Sequence, residues 1–284
     1  MGKIKTIAIF AIIILFSISV NSSSYASSKI ATGFVNKLQS LFDKRGLPVK
    51  VKLINDKPYK LEGFREVVID IKGRKSVYLT NGKLIIPAVI DQNTGVNLLK
   101  QEALLLNKVD MKRFSFGQYN RVIGKKDAKI KIVLFSDFQC PYCRRLWPYL
   151  VNLPKTYNVA VYEKNYPLPF HKDAMLLAKI AEAVRIASGK KINDYLNRND
   201  FSGGNKAIIK KVIKDNKLGK YAEKINKLID SKQVKEIISK DMAEGHSVDI
   251  TGTPTLFIDG YRVTGADVRS IEMILKRETK NKKS

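Results

Sequence analysis

Apolar positions along the chain change their spacing several times, and these changes predict two folded parts. After residue 27 they first recur at helical spacing, up to a natural helix stop at Gly46. Four short apolar runs follow, and Asn81-Gly82 between the last two is a two-residue hairpin signal. The runs cover residues 49–54, 67–71, 76–80 and 84–90. Residues 27–96 are therefore expected to form a small α+β domain.

A helical run and a polar stretch separate this domain from the rest of the chain. Residues 97–108 have leucines at the spacing of a helix. Residues 110–129 are polar and irregular, with Gly117 and Gly124 among them. We therefore predict a linker helix and linker over residues 97–129, with the domain boundary in its polar part.

The remaining residues, 130–284, are predicted to form an α/β domain. Apolar runs at 130–135 and 159–163 indicate two buried strands, and the helix between them makes these strands parallel neighbours. Residues 171–245 are predicted to be a mostly helical insert. The chain then closes with a hairpin around Asp259-Gly260 and a helix at 266–279.

The first residues have the three parts of a signal peptide. Lys3 and Lys5 form a basic start, residues 7–20 an apolar core, and Ser24-Tyr25-Ala26 a small-x-small cleavage site. The core is shorter than a typical membrane span of about 20 residues, and an uncleaved anchor is the alternative. We expect a signal peptide over residues 1–26, cleavage after Ala26 and a periplasmic location.

The composition is strongly basic. The formal net charge is +26, and a field of that sign attracts polyanions, acidic proteins or anionic lipid head groups. The lysines are spread over nearly every segment, and the sequence contains neither a P-loop nor a nucleic-acid-binding motif. We therefore expect no nucleic-acid partner. A non-catalytic secreted protein that binds polyanions or a membrane surface is the alternative function of another class.

The only two cysteines of the chain, Cys140 and Cys143, form a C-x-x-C motif between a predicted strand and a predicted helix. This setting is typical of a redox-active dithiol. A zinc site needs two more cysteine or histidine ligands, and His171 and His246 lack the spacing of metal ligands. A structural disulfide across so short a loop removes little chain entropy. We therefore predict redox chemistry and no metal site, with handling of Cu(I) as the third option.

The position of Cys140 predicts that it is the reactive thiol. With Cys140 at the N-cap and Pro141 as the first helical residue, the sulfur faces the free amide of Cys143 and the positive end of the helix dipole. Both favour the thiolate, which is the attacking species in disulfide exchange. Cys143 is then the resolving partner. Arg144 and Arg145 add to the effect if they face the sulfur.

Three sequence features together resemble the thioredoxin-fold disulfide oxidoreductases of the DsbA, DsbC and DsbG type. They are C-P-Y-C at the head of a helix, Pro148 five residues later, and G-T-P-T at 252–255, before the final hairpin. The resemblance covers residues 130–279. It implies a thioredoxin-like domain with a helical insertion, a protein thiol–disulfide oxidoreductase activity and no cofactor.

This resemblance also implies a role for each matching residue. Cys140 matches the nucleophile of the family and Cys143 its resolving partner, so the two form the redox-active disulfide. Pro254 matches the proline that is cis in this fold, whose loop lies against the disulfide and pairs with an extended substrate. The residues expected to contact the substrate are Pro141, Tyr142, Thr253 and Pro254.

The N-terminal domain is similar to the cystatin-like dimerisation domain of the DsbC/DsbG branch. The likeness is carried by residues 77–86 and by the linker helix. It implies a homodimer that acts on secreted or periplasmic proteins, and a membrane redox partner that resets the dithiol. A dimer that holds two sites over one substrate suits reshuffling, so isomerase or reductase activity is preferred, with a net oxidase of the DsbA type as the alternative.

Some residues depart from the family pattern. The DsbC type has Gly-Tyr between its cysteines where this chain has Pro141-Tyr142, and the helical insert is more similar to DsbA. Leu134 occupies the position, six before the nucleophile, where the family places a buried acid. Asp137 is therefore a candidate for proton transfer to Cys143, with turn-capping as its alternative role. His171 and His246 fit surface or capping positions better than that of a general base.

Overall fold

The computed structural model describes residues 22–282, with side chains from residue 29 onward. The chain divides into two compact units, between Val89 and Ile90. The basic start and apolar core of the predicted signal peptide lie outside the described residues. The predicted cleavage site at Ala26 falls in the first turns of the first helix. No helix within residues 22–282 combines the length and the apolar character that a membrane span needs.

The N-terminal unit is a helix packed on a four-stranded antiparallel sheet, as the sequence predicts. Ala31 and Phe34 of the helix contact Val51, Val67 and Ile69 on one face of the sheet. The strands lie in chain order, β1-β2-β3-β4. The elements are α1 (Ser22–Lys44), β1 (Val51–Pro58), β2 (Arg65–Ile71), β3 (Arg74–Thr80) and β4 (Ile85–Ile86).

The predicted two-residue turn at Asn81-Gly82 is wrong. Thr80 pairs with Ile85, so the connection has four residues, and the side chain of Asn81 accepts the amides of Lys83 and Leu84. An asparagine side chain that binds amides two and three residues on closes a wider turn of its own.

The two-residue turn lies instead between β2 and β3. It is formed by Lys72 and Gly73, which have φ values of 53° and 80°. Both central residues of a type I′ turn need positive φ, and the strands it joins keep their register up to the turn. The fourth predicted run, 84–90, contributes only two strand residues, because Pro87 lacks the amide that a further ladder bond requires.

The predicted linker belongs to the second unit. Helix α2 (Leu98–Leu106) is capped by Asn97 and buries Leu104 in the main core, and Phe114 packs in a second core beside Phe257. Strand β5 (Arg121–Ile123) pairs with β7 (Val159–Asn165). The structural boundary therefore comes before residue 97, because the apolar side chains of this segment are buried within the C-terminal unit.

The second unit is built on a five-stranded sheet in the order β5-β7-β6-β8-β9. Its central strand β6 (Ile130–Ser136) runs parallel to β7, which confirms the predicted crossover, and antiparallel to β8 (Thr255–Ile258). A two-residue turn at Asp259-Gly260, with both φ values positive, leads from β8 to β9 (Tyr261–Thr264) as predicted.

Helices cover both faces and form the insert. The insert is helical, as the sequence predicts, and contains five α-helices with a core of their own. The helices are α3 (Pro141–Asn152), α4 (Ala174–Ser188), α5 (Asn193–Arg198), α6 (Gly204–Asp215), α7 (Ala222–Ile229), α8 (Lys232–Ser247) and α9 (Val268–Asn281).

Side chains of the central strands alternate between two cores. Leu134 of β6 and Val161 of β7 lie in the core that also contains Leu146 and Leu150 of α3. The adjacent residues on these strands point to the opposite face of the sheet. There Phe135 packs with Phe257 and Tyr166. Helix α3 therefore lies over the face formed by the even-numbered residues of β6 and the odd-numbered residues of β7.

Candidate active site

The two cysteines lie where β6 gives way to α3. Cys140 is the N-cap, with φ −67° and ψ 119°, and Pro141 is the first helical residue, as the sequence predicts. The Cys140 amide donates to the carbonyl of Asp137, and its carbonyl accepts from the amide of Arg144. Both cysteines are free and buried. The strand, the turn and the first turn of the helix together hold Cys140 in place.

The environment of Cys140 stabilises its thiolate. Its pKa is lowered from 9.0 to about 5, chiefly by a hydrogen bond from the Cys143 side chain. Burial opposes this shift, while the side chain of Thr253 and the amides of Cys143 and Tyr142 reinforce it. These amides are the unpaired donors of the first helical turn. At neutral pH Cys140 is therefore mainly an anion.

Cys143 has the opposite character. Burial raises the pKa of its thiol well above 9.0, and both the hydrogen bond with Cys140 and the charge of Cys140 raise it further. At neutral pH the pair consists of a thiolate at Cys140 and a thiol at Cys143. This is the arrangement of a nucleophile and a resolving thiol.

The loop before β8 completes the site. The Thr253–Pro254 peptide bond is cis, as the resemblance implies. The carbonyl oxygen of Thr253 lies 3.2 Å from Sγ of Cys140, which donates to it in the thiol form. Because β8 pairs with β6, the fold brings together a C-x-x-C motif and a T-P motif that lie more than 100 residues apart.

Comparison with known proteins assigns the chain to a family. A family model described as thioredoxin matches residues 117–277, more than half of the chain. The chain belongs to this thioredoxin family. A probable disulfide bond formation protein D of Bacillus cereus is 29% identical over 172 residues, which are 56% of this chain and 78% of the relative. The protein of the same name from Bacillus anthracis is 27% identical over 56% of this chain and 77% of its own length.

Solved structures show the same fold. The catalytic domain of Proteus mirabilis ScsC has a TM-score of 0.50 at 23% identity, covering 63% of this chain and 97% of that one. The thiol-disulfide exchange protein α-DsbA2 of Wolbachia pipientis has a TM-score of 0.52 at 16% identity, covering 64% and 99%. With the family match and the curated relatives, the chain is a thiol–disulfide oxidoreductase of the Dsb type with a thioredoxin-like fold.

The residues that flank the dithiol of this thioredoxin-family domain are partly exposed. Tyr142, between the two cysteines, is 56% exposed. The guanidinium of Arg145 lies 5.4 Å from the ring centroid of Tyr142, and Arg144 forms an ion pair with Asp200. Both arginines are therefore engaged with other groups, and the low pKa of Cys140 comes from hydrogen bonds.

Asp137 organises the loop before the helix. Its side chain is buried and accepts the amides of Gln139 at 2.8 Å and Leu168 at 2.9 Å. Its Oδ2 also lies 2.7 Å from Nδ1 of His171. Both carboxylate oxygens therefore bind the loop, as the turn-capping role requires, and His171 contacts the same side chain. The ring of His246 packs edge-on against that of Tyr166.

A buried acid that is absent from the sequence-based candidates lies beneath α3. Glu163 is on β7, on the face that also carries Val159 and Val161. Its Oε2 accepts a 2.6 Å hydrogen bond from Asn193 of α5. The sequence signal is an acidic residue inside a strand that is otherwise predicted to be buried, which becomes visible once the two strands are recognised as central neighbours.

Proposed function

We propose that the protein exchanges disulfides with substrate proteins through Cys140 as the nucleophile and Cys143 as the resolving thiol. The observation that carries this proposal is the position of Cys140 at the N-cap of α3, one turn before the buried thiol of Cys143 and 3.2 Å from the carbonyl oxygen of the cis-proline loop, where its pKa is lowered to about 5. The Cys140 thiolate attacks a substrate disulfide, and one substrate sulfur leaves with the electron pair. Cys143 then attacks Cys140, which releases the second substrate sulfur and oxidises the pair.

The same steps in reverse form a disulfide in the substrate. A substrate thiolate attacks Cys140 of the oxidised pair, and Cys143 leaves as a thiolate. A second substrate thiolate attacks the mixed disulfide, which closes the substrate disulfide and leaves the pair reduced. We assign substrate contacts to Pro141, Tyr142, Thr253 and Pro254, since the loop presents backbone to an extended chain and the Tyr142 ring is exposed.

Net disulfide formation is the direction that the site chemistry supports best. A thiolate held at a pKa of about 5 stabilises the reduced pair, and a stabilised reduced form makes the disulfide a stronger oxidant. The relatives from Bacillus are named for disulfide bond formation, which supports the same direction. A membrane redox partner is then needed to reoxidise the dithiol after each turnover.

Isomerase activity is the second candidate, and the N-terminal unit favours it. Both edge strands of its sheet present exposed apolar side chains, among them Ile54 on β1 and Ile85 on β4. Leu84, next to β4, is 60% exposed. Unpaired, apolar strand edges are surfaces on which another chain can pair. We propose that this unit forms a homodimer, as its resemblance to a dimerisation domain implies.

Two assays on the full chain distinguish net disulfide formation from isomerisation. The oxidised protein is expected to oxidise a reduced peptide rapidly and to restore little activity to scrambled ribonuclease. Ile85→Lys is the matched variant: it removes the apolar edge without touching the site, and sedimentation shows whether a dimer is lost. The opposite result would be slow peptide oxidation by the wild-type protein and efficient recovery of ribonuclease activity, with the recovery lost in Ile85→Lys. That result would establish isomerase activity instead.

We further propose that the protein works outside the cytoplasm, in the periplasm or as a secreted protein. The basic, apolar and small-residue parts of the first 26 residues support this location, as does a C-x-x-C pair that functions in an oxidising compartment. Its substrates are then secreted or periplasmic proteins. The N-terminal residue of the exported protein, expected to be Ser27, checks this proposal.

A further inference from the structure

The resolving step needs a base that the proposed pair does not contain. In the mixed disulfide Cys140 has lost its charge, but burial, the largest cause of the raised pKa of Cys143, remains, so Cys143 is a thiol at neutral pH. Only a thiolate attacks a disulfide efficiently. Among the described residues, the carboxylate of Asp137 makes its hydrogen bonds with two loop amides and with His171, and none with Cys143. The proton of Cys143 therefore needs another acceptor within the protein.

Glu163 is placed on the correct side of the sheet. In the parallel pairing of β6 and β7, Leu134 is opposite Glu163, and Ser136 is two residues further along β6. Residues two apart on a strand point to the same face. Ser136 and Glu163 therefore share the face that α3 covers, and Cys143 is buried on the underside of α3.

Two buried oxygens on this face have no hydrogen-bond partner among residues 29–282. Among the described residues, neither Oγ of Ser136 nor Oε1 of Glu163 makes a hydrogen bond of ordinary geometry. Ser136 is nevertheless close enough to lower the pKa of the Cys143 thiol and that of the Glu163 carboxyl. A hydroxyl can donate and accept at once, so Ser136 is able to connect the two groups.

The protonation state of Glu163 suits an exchange of protons at neutral pH. Burial raises its pKa from 4.5 to about 7, and the charge of Glu182 adds to this shift. Hydrogen bonds from the side chains of Asn193, Ser136 and Asn197 oppose it. A group that titrates near the working pH is present in both its acid and its base form.

Among the described residues, the charged side chains on the elements around Glu163 have partners of their own. Arg144 of α3 pairs with Asp200, and Lys191, which precedes α5, donates to the carbonyls of Gln118 and Arg121. Glu182 of α4 pairs with Arg185, Asp194 of α5 with Arg198, Asp241 of α8 with Lys164, and Arg121 of β5 donates to the carbonyl of Gly124. Within residues 29–282, Glu163 is thus the buried acid on this face that keeps an oxygen without a hydrogen bond.

We propose that Glu163 accepts the proton of Cys143, and returns it, through the hydroxyl of Ser136. This inference rests on the proposed roles of Cys140 and Cys143. During resolution, the Cys143 proton passes to Oγ of Ser136, and the proton of Ser136 passes to Glu163. Sγ of Cys143 then bonds to Sγ of Cys140, and the electron pair of the broken mixed disulfide leaves with the substrate sulfur.

The reverse reaction uses the same groups. When a substrate thiolate attacks the Cys140–Cys143 disulfide, Cys143 leaves as a thiolate. Protonated Glu163 supplies a proton through Ser136, which converts the Cys143 thiolate to the thiol and prevents it from attacking back. The substrate sulfur stays bonded to Cys140 until a second substrate thiol displaces it. Protons and electrons balance without any further reactant.

The test is a rapid-mixing experiment in which the reduced protein reacts with oxidised glutathione over a pH series. The single tryptophan, Trp147 of α3, reports the reaction by fluorescence. The first phase depends on glutathione concentration and measures the attack by Cys140. The second phase is independent of concentration and measures resolution by Cys143. In the wild-type protein we expect the second phase to show an inflection near pH 7.

Glu163→Gln and Ser136→Ala are each expected to slow the second phase about 10²-fold at neutral pH. They should also remove its inflection and leave the first phase unchanged. Gln keeps the shape of the side chain and an acceptor for Asn193, so folding is preserved. Ser136→Thr, which retains a hydroxyl, should restore the second phase. Glu182→Gln is the matched control: it should keep the rate and move the inflection to lower pH, because a charge that raises the pKa of Glu163 is removed.

Each result distinguishes this inference from the proposed function. A wild-type second-phase rate and pH profile in both Glu163→Gln and Ser136→Ala would overturn the relay alone. A loss of rate that is equal at every pH, with the inflection intact, would also overturn it, because it would show a purely structural role. If the wild-type protein forms no mixed disulfide with glutathione, the proposed function fails, and the relay fails with it.

Discussion

Cys140→Ser is expected to reduce disulfide exchange to the background rate, whereas Cys143→Ser should leave the first attack intact and accumulate mixed disulfides. Cys140 supplies the thiolate that the helix amides, Thr253 and Cys143 stabilise, and a serine hydroxyl at this position is not ionised at neutral pH. Cys143 acts only in the second step. Without its sulfur, the bond between Cys140 and the substrate has no internal attacker.

Mass spectrometry after incubation with oxidised glutathione measures both outcomes. The chain has two cysteines, so any adduct on Cys143→Ser lies on Cys140, and any adduct on Cys140→Ser lies on Cys143. We expect a stoichiometric adduct on Cys143→Ser and none on Cys140→Ser, because a buried thiol with a raised pKa reacts slowly. Equal adducts on the two variants would contradict the assigned roles.

The stability of the reduced protein relative to its disulfide form is expected to increase as the pH rises from about 5 to about 9. Below pH 5 the thiol of Cys140 is protonated in the folded and unfolded chains alike, so it contributes nothing. Between the folded pKa of about 5 and the unfolded value of 9.0, the unfolded chain binds a proton that the folded chain does not. The contribution of Cys140 to the stability of the reduced protein is therefore complete above pH 9 and is lost as the pH falls to 5. Its slope is at most about 1.4 kcal/mol per pH unit.

Cys143 does not cancel this effect. Its folded pKa lies above 9.0, so its own contribution is constant below pH 9 and decreases only at higher pH. Chemical denaturation of both redox forms across the pH range measures the difference. Groups such as Asp241, whose pKa burial raises to about 6, titrate in both forms and largely cancel. Reduced Cys140→Ser is the control and should lack the slope. A difference between the redox forms that does not change with pH would refute the thiolate as its source.

The features that the sequence predicts well depend only on neighbouring residues. The N-cap position of Cys140 follows from its neighbour Pro141, because the preferences of a helix start depend on adjacent residues. The turn at Asp259-Gly260 follows from a dipeptide that tolerates positive φ. The same rule fails at Asn81-Gly82, where the Asn81 side chain closes a wider turn. The rule describes the backbone, and a competing side-chain hydrogen bond changes the outcome.

Interactions between distant segments explain what the sequence does not predict. Residues 97–129 look like a linker because their polar residues are frequent, and only the packing of Leu104 and Phe114 shows that they belong to the second unit. Glu163 is similar. The expected position of a buried acid is Leu134, and the register of β6 and β7 is needed to show that Glu163 lies opposite it. Register between strands depends on the whole sheet.

The arginines next to the motif show the same limit. Arg144 and Arg145 immediately follow Cys143, so the sequence suggests that they stabilise the thiolate. In the fold, Arg144 pairs with Asp200 and Arg145 lies over Tyr142. Where a long side chain points depends on partners far away in the chain.

Titration of Cys140 in the reduced wild-type protein, followed by the rate of alkylation or by thiolate absorbance, shows whether this sulfur is held as an anion. We expect a midpoint near pH 5, because the thiol of Cys143, the side chain of Thr253 and the N-terminal amides of α3 all stabilise the anion. A midpoint near 9, the ordinary value for a cysteine, would contradict it.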